Sequence, residues 1–138
     1  MSKPKLRQPQ LSSGRLIHPS SSAQLEIPVN FPVFSFKYLH PHYNVEQCES
    51  DDKQALIQRM AMIGRINWNE LQLAPRHGIG CEKISKNSIR PGIPQGVPEH
   101  IDFFLAFRYN GKKAIIGWRD TFVFHLLYVD RNFSVYAH

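Results

Sequence analysis

The chain has 138 residues, 42% of them hydrophobic and 12% aromatic, with 17 Lys and Arg against 11 Asp and Glu and a net charge of +6. That length suits one domain with a sizeable core rather than two. The apolar content excludes a wholly disordered chain, and with no apolar run of about 18 residues no membrane span is expected.

The charge is uneven. Residues 1–25 hold Lys3, Lys5, Arg7 and Arg15 and no acid, giving +4, whereas the rest of the chain is only +2. Residues 1–30 also carry four prolines and six serines. Such a stretch buries too little to offset its ordering entropy, and it reads as a flexible basic arm ahead of a single domain over 31–138. The early lysines are followed by no apolar stretch, so no secretory leader is expected. Cys48 and Cys81 form no CxxC pair and read as free thiols of a reducing cytoplasm.

From Val33, "VFSFKYL" alternates in the manner of a strand, and "HPHYN" breaks it. Ser50 is placed to cap a helix in which Asp51 and Asp52 favour the dipole. Leu56, Met60 and Ile63 recur along one stripe, and Gly64 ends it. Asn67, with Glu70 three residues on, starts a second helix that Pro75 stops. Residues 75–100, rich in glycine and proline near their end, read as a long loop with a short extended piece near Cys81–Ile84. "DFFLAFRY", the Asn110–Gly111 turn signal, "KKAIIGW", a turn at "RDT", "FVFHLLYV", a turn at "DRN" and the short "FSVY" then give three to four strands. The expected fold is α+β: a single antiparallel sheet in β-α-α-β-β-β order with the helices packed on one face.

Period-two alternation sets Arg108 with Phe104 and Ala106, and His125 with Val123 and Leu127. The more apolar opposite face belongs under the helices. Arg108 and His125 are therefore expected on an open face, joined by Arg119 at a strand end, Tyr136, His138 and the loop residues Arg76, His77 and Lys83. Each has another reading. His125 could be a core histidine, the arginines could pair with Asp102, Asp120 or Asp130 at little energetic gain, and Tyr136 and His138 could fray at the terminus. "APRHGIGCEKI" also suggests a nest of amides and cations around an anion. His40, His42, Cys48, His77 and Cys81 fit no established metal-ligand spacing, and Cys81 beside His77 lacks a third group to activate it as a nucleophile.

The order of elements, with "FLAFRYNGKKAIIGWRD" and "VFHLLYVDRNFSVYAH", resembles the RelE/ParE superfamily of bacterial toxins over roughly residues 33–138. The chain is longer than a typical member, and its folded part is less basic. The resemblance implies a cytoplasmic ribonuclease that cuts RNA, often on the ribosome, and is held inactive by an antitoxin protein. It implies proton transfer by His125 and His138, support or base stacking by Tyr136, and phosphate contacts from Arg108, Arg119, Arg76, His77 and Lys83. Neither metal nor other cofactor is implied. Histidine suits such proton transfer, arginine suits developing phosphate charge, and aromatics stack on bases. The alternative is a non-catalytic protein-binding module of a mobile element or toxin–antitoxin system.

Overall fold

A computed structural model describes residues 30–74 and 78–137. The N-terminal arm, Asn30 apart, lies outside the described residues, as do Arg76, His77 and His138. Five strands form one sheet: β1 (Val33–Ser35), β2 (Cys81–Ser85), β3 (Phe103–Asn110), β4 (Lys113–Asp120) and β5 (Val123–Asp130). Two helices, α1 (Ser50–Ile63) and α2 (Trp68–Leu73), lie between β1 and β2 in sequence. The spatial order is β1-β5-β4-β3-β2.

The α+β class holds, and the details of the sheet differ from expectation. The sheet is mixed, because β1 runs parallel to β5 while the other pairings are antiparallel. The short extended piece at Cys81 is a full edge strand paired with β3, so four strands follow the helices. "FSVY" is not a strand. The buried Asp130 carboxylate accepts hydrogen bonds from the backbone N–H groups of Ser134 (2.9 Å) and Val135 (3.2 Å), turning the chain after β5.

Helix α1 begins one residue earlier than its cap signal suggested, with Ser50 inside the helix and Glu49 extended in the cap position. The first turn is secured by Asp52 instead. Its buried carboxylate accepts from Asn110 (2.8 Å) and pairs with Lys113 (2.9 Å), tying the helix start to the β3–β4 hairpin. Burial opposes ionisation of Asp52, but these two hydrogen bonds outweigh it and hold the carboxyl below its usual range. In the hairpin, Gly111 takes a φ of +61°, open to glycine without steric cost. At α2, Asn67 accepts from the Glu70 N–H at 3.1 Å, the capping contact read from the sequence.

Each face of the sheet carries its own core. On the helix side Leu56, Ile63, Trp68 and Leu71 pack over Leu105, Phe107, Ile115, Phe124 and Leu126. The other face was expected to be open, and it is covered. Phe104, Ala106, Ile116, Trp118, Leu127 and Tyr128 lie beneath Tyr38 and Tyr43 of the segment after β1, Ile89, Val97 and Ile101 of the long loop, and Val135 and Tyr136. This lid is held by backbone hydrogen bonds: His40 N–H to Leu127 O (2.8 Å), Val129 N–H to Tyr43 O (2.7 Å) and Arg90 N–H to Val135 O (2.8 Å).

Candidate active site at the β4–β5 end of the sheet

Irregularities in strand pairing decide where His125 points. Ile116 pairs with Tyr128 but Gly117 pairs with Leu126, so Leu127 is an extra residue, a bulge of the kind that re-aims side chains. It lets Leu127 and Tyr128 both face away from the helices. At the same place β4 and β5 approach so closely that a Cβ on Gly117 would sit 2.0 Å from the His125 carbonyl oxygen. Glycine is required there by the neighbouring backbone.

Beyond the bulge, Trp118 pairs with His125, and the rings stack at 4.2 Å with 18° between planes. Tyr38 packs against both, at 5.6 Å from each. Tyr38 is pressed in turn by Gly96 of the long loop, whose φ of +102° and lack of a side chain admit the contact. His125 Nε2 faces the Asp120 carboxylate at 3.9 Å, with the imidazole 16% exposed and the carboxylate 67% exposed. Nδ1 is buried without a hydrogen-bond partner. Burial lowers the His125 pKa below its ordinary value; Asp120 opposes this and Lys37 adds to it. Lys37 lies over the Tyr38 ring at 5.3 Å. The turn between the strands contains Thr121 at φ +59°, an uncommon conformation for a β-branched residue and one that concentrates at functional sites.

The residues singled out in the sequence do not all meet here. Arg108 pairs with Ala114 and His125 with Trp118; at about 3.3 Å per residue they are roughly 13 Å apart along the sheet. Arg119 is level with His125 but on the helix face. Its guanidinium lies 4.6 Å from the Trp68 ring, and it donates to Thr121 O and Gln72 Oε1. Burial lowers its pKa. Lys83, paired with Leu105, belongs to the helix face and extends over Phe103 at 5.3 Å. Tyr136 is 6% exposed and part of the second core, so it walls the face rather than fraying. Arg76, His77 and His138 lie outside the described residues, and so does half of the nest suggested at 76–80.

Lys37, Tyr38 and Asp120 are the neighbours that sequence reasoning missed. Lys37 and Tyr38 were assigned to a strand that in fact ends at Ser35, and Asp120 was considered only as a partner for arginine. The signal available was "KYLHPHY", a basic and aromatic cluster broken by proline. His40 is in the same segment, its ring tilted against Tyr128 at 5.6 Å, with its Nδ1 accepting from the His42 N–H at 3.1 Å. Both thiols are free, and burial raises the pKa of each, which suits packing rather than attack. Among the described residues no three His, Cys, Asp or Glu side chains cluster as metal ligands, and no helix is long and apolar enough to cross a membrane.

The chain matches no protein-family model, no curated protein and no solved structure.

Proposed function

We propose that the chain is an RNA-cleaving protein of the RelE type whose reaction centre is His125. The observation that carries this reading is the pairing of His125 Nε2 with Asp120 at 3.9 Å, on a face that also carries Lys37 and the Tyr38 ring. Burial lowers the His125 pKa, which favours the neutral imidazole, and Nε2, at 3.9 Å too far from Asp120 for a hydrogen bond, keeps a lone pair with which to act as base. It takes the proton of a ribose 2′-hydroxyl. That oxygen attacks the adjacent phosphorus and the bond to the 5′-oxygen breaks, leaving a 2′,3′-cyclic phosphate and a 5′-hydroxyl. Asp120 stabilises the imidazolium, and Lys37 offsets charge developing on the phosphorane. His138 is the candidate donor of the leaving-group proton.

Tyr38 takes the stacking role expected of Tyr136. Arg108, on the same face further along, suits a flanking phosphate. Arg119 and Lys83 face the helices and are assigned no contact with the reacting phosphate. RNA end-labelled and incubated with the purified full chain in EDTA tests this reading. Cleavage with cyclic-phosphate ends is expected, falling by about 10²-fold or more in His125→Ala while RNA binding and thermal unfolding are retained. No cleavage by the native chain, or equal cleavage by the variant, overturns the reading.

A second reading, a non-catalytic protein-binding module, is favoured by β1. It is an edge strand in which Val33 is 52% exposed, with Phe36 just after it 47% exposed, and such edges accept a partner's strand. A stable complex with an antitoxin-like protein, without RNA cleavage, supports that reading.

A further inference from the structure

The long loop does more than cover the second face. Between its two ends and the start of β3 lies a cavity of about 580 Å³, large enough for a nucleotide-sized ligand. Its lip is fixed by the backbone: Lys86 N–H donates to Asp102 O (2.9 Å) and Ile101 N–H to Pro98 O (3.2 Å). Ser85 Oγ accepts from the Asn87 N–H (3.3 Å) and Ser88 Oγ donates to Ser85 O (2.7 Å), closing a tight turn that holds Asn87 at the rim.

The lining is divided in character. Phe103, Ile93 and Ile101 provide apolar wall; the Lys83 ammonium lies 5.3 Å from the Phe103 ring centre, yet Phe103 remains 54% exposed, with aromatic surface to spare for stacking. Glu99 and Asp102 offer carboxylate acceptors, and Lys86 a single cation. An aromatic platform beside paired acceptors suits a flat heterocycle whose edge carries adjacent N–H donors. Among the RNA bases guanine has that edge, with N1–H beside its exocyclic amine, and unstacked bases are read in this way in single-stranded RNA. Lys86 is the group available to a phosphate.

The position in the fold links this cavity to the reaction centre. Ser85 pairs with Phe103, and Leu105 pairs with Gly117, so the cavity and His125 occupy the same end of the sheet. Along the sheet they are three strand spacings apart, roughly 14 Å at about 4.8 Å each; Phe103 shares the face of Leu105 and His125 the opposite one, so the connecting nucleotides pass around the end of the sheet. The loop that lines the cavity also places Gly96 against Tyr38, which packs on His125. One loop therefore borders both places.

We propose that this cavity is a guanine-binding subsite for single-stranded RNA, with Phe103 as the stacking surface and Asp102 and Glu99 reading the base edge. The proposal rests on the RNA-cleaving reading of His125. Calorimetric binding of the four nucleoside 3′-monophosphates to the full chain, together with mapping of cleavage positions, tests it. Guanosine 3′-monophosphate is expected to bind at least tenfold more tightly than the other three, with that preference lost in the Glu99→Gln/Asp102→Asn double variant. Cleavage sites are expected at a fixed short offset from guanines. Lys86→Ala should weaken all four nucleotides by a similar factor. Equal binding of the four nucleotides, or a guanine preference unchanged in the double variant, overturns the subsite. If RNA is cut without regard to guanine, the subsite fails and the reading of His125 stands. If guanosine monophosphate binds through Asp102 and Glu99 but no RNA is cut, the reading of His125 fails and the cavity remains a nucleotide site.

Discussion

The two faces of the sheet solve the same burial problem with different materials. The helix face is covered by α1 and α2, whose side chains interlock with aliphatic and aromatic residues, and the Asp52–Asn110–Lys113 cluster ties the helix start to the β3–β4 hairpin. The opposite face is covered by irregular segments that contribute single apolar residues, Tyr38, Ile89, Val97 and Ile101, between polar ones. Helices bury a continuous apolar stripe, and the titratable groups held there, Asp52, Cys48 and Tyr109, are buried. Irregular segments seal a face incompletely, and at the rim of that seal an imidazole can be packed on one side and wet on the other. His125, stacked on Trp118 yet paired with the exposed Asp120, is in that position.

Trp68→Ala should have the largest effect and mark the helix face as the stabilising one. Trp68 is fully buried, and its Nε1–H donates to Phe122 O at 2.9 Å, so a loss of about 4 kcal/mol in denaturant unfolding is expected. Gly117→Ala tests the bulge that aims His125. The added methyl meets the His125 backbone, so β4 and β5 must separate locally, at a cost of about 3 kcal/mol. Measured RNA cleavage should fall in step, because the imidazole moves with the strand. A gain in stability there would contradict the close approach.

The smallest effect concerns pH and belongs to the second face alone. Burial lowers the pKa of His125 and of His40, so between the folded values and about 6.5 the unfolded chain binds more protons. Stability is therefore fully present above about pH 6.5 and declines as the pH falls through the folded values. His125→Gln and His40→Gln should each flatten the acid side of a stability–pH profile. A profile that rises on acidification would show the opposite shift.

Local features were legible in the sequence and pairings across distance were not. The stripe Leu56–Met60–Ile63, the Asn67 cap and the Asn110–Gly111 turn depend on residues a few positions apart, and they appear where the patterns put them, within a residue or two. The parallel pairing of β1 with β5 joins residues about ninety positions apart, and nothing in "VFS" encodes its partner. "CEKIS" is an edge strand without clean alternation, and its strand character is supplied by pairing with β3. The cover over the second face was illegible for a related reason: its apolar residues come singly, without a period. That is also why His125 could be picked out as a residue while its neighbours could not. Alternation fixed its face, but Lys37 and Tyr38 reach it only because the chain leaves the sheet after Ser35 and folds back.

The most direct measurement is a histidine-resolved NMR titration of the full chain, with and without a 2′-O-methyl oligoribonucleotide that cannot be cleaved. For the free protein the His125 ring should titrate below 6.5, and its Hε1 resonance should shift on adding the oligonucleotide. A His125 that titrates at or above 6.5, and whose resonance is unmoved by an oligonucleotide that binds elsewhere, would contradict the assignment of this imidazole as the reacting base.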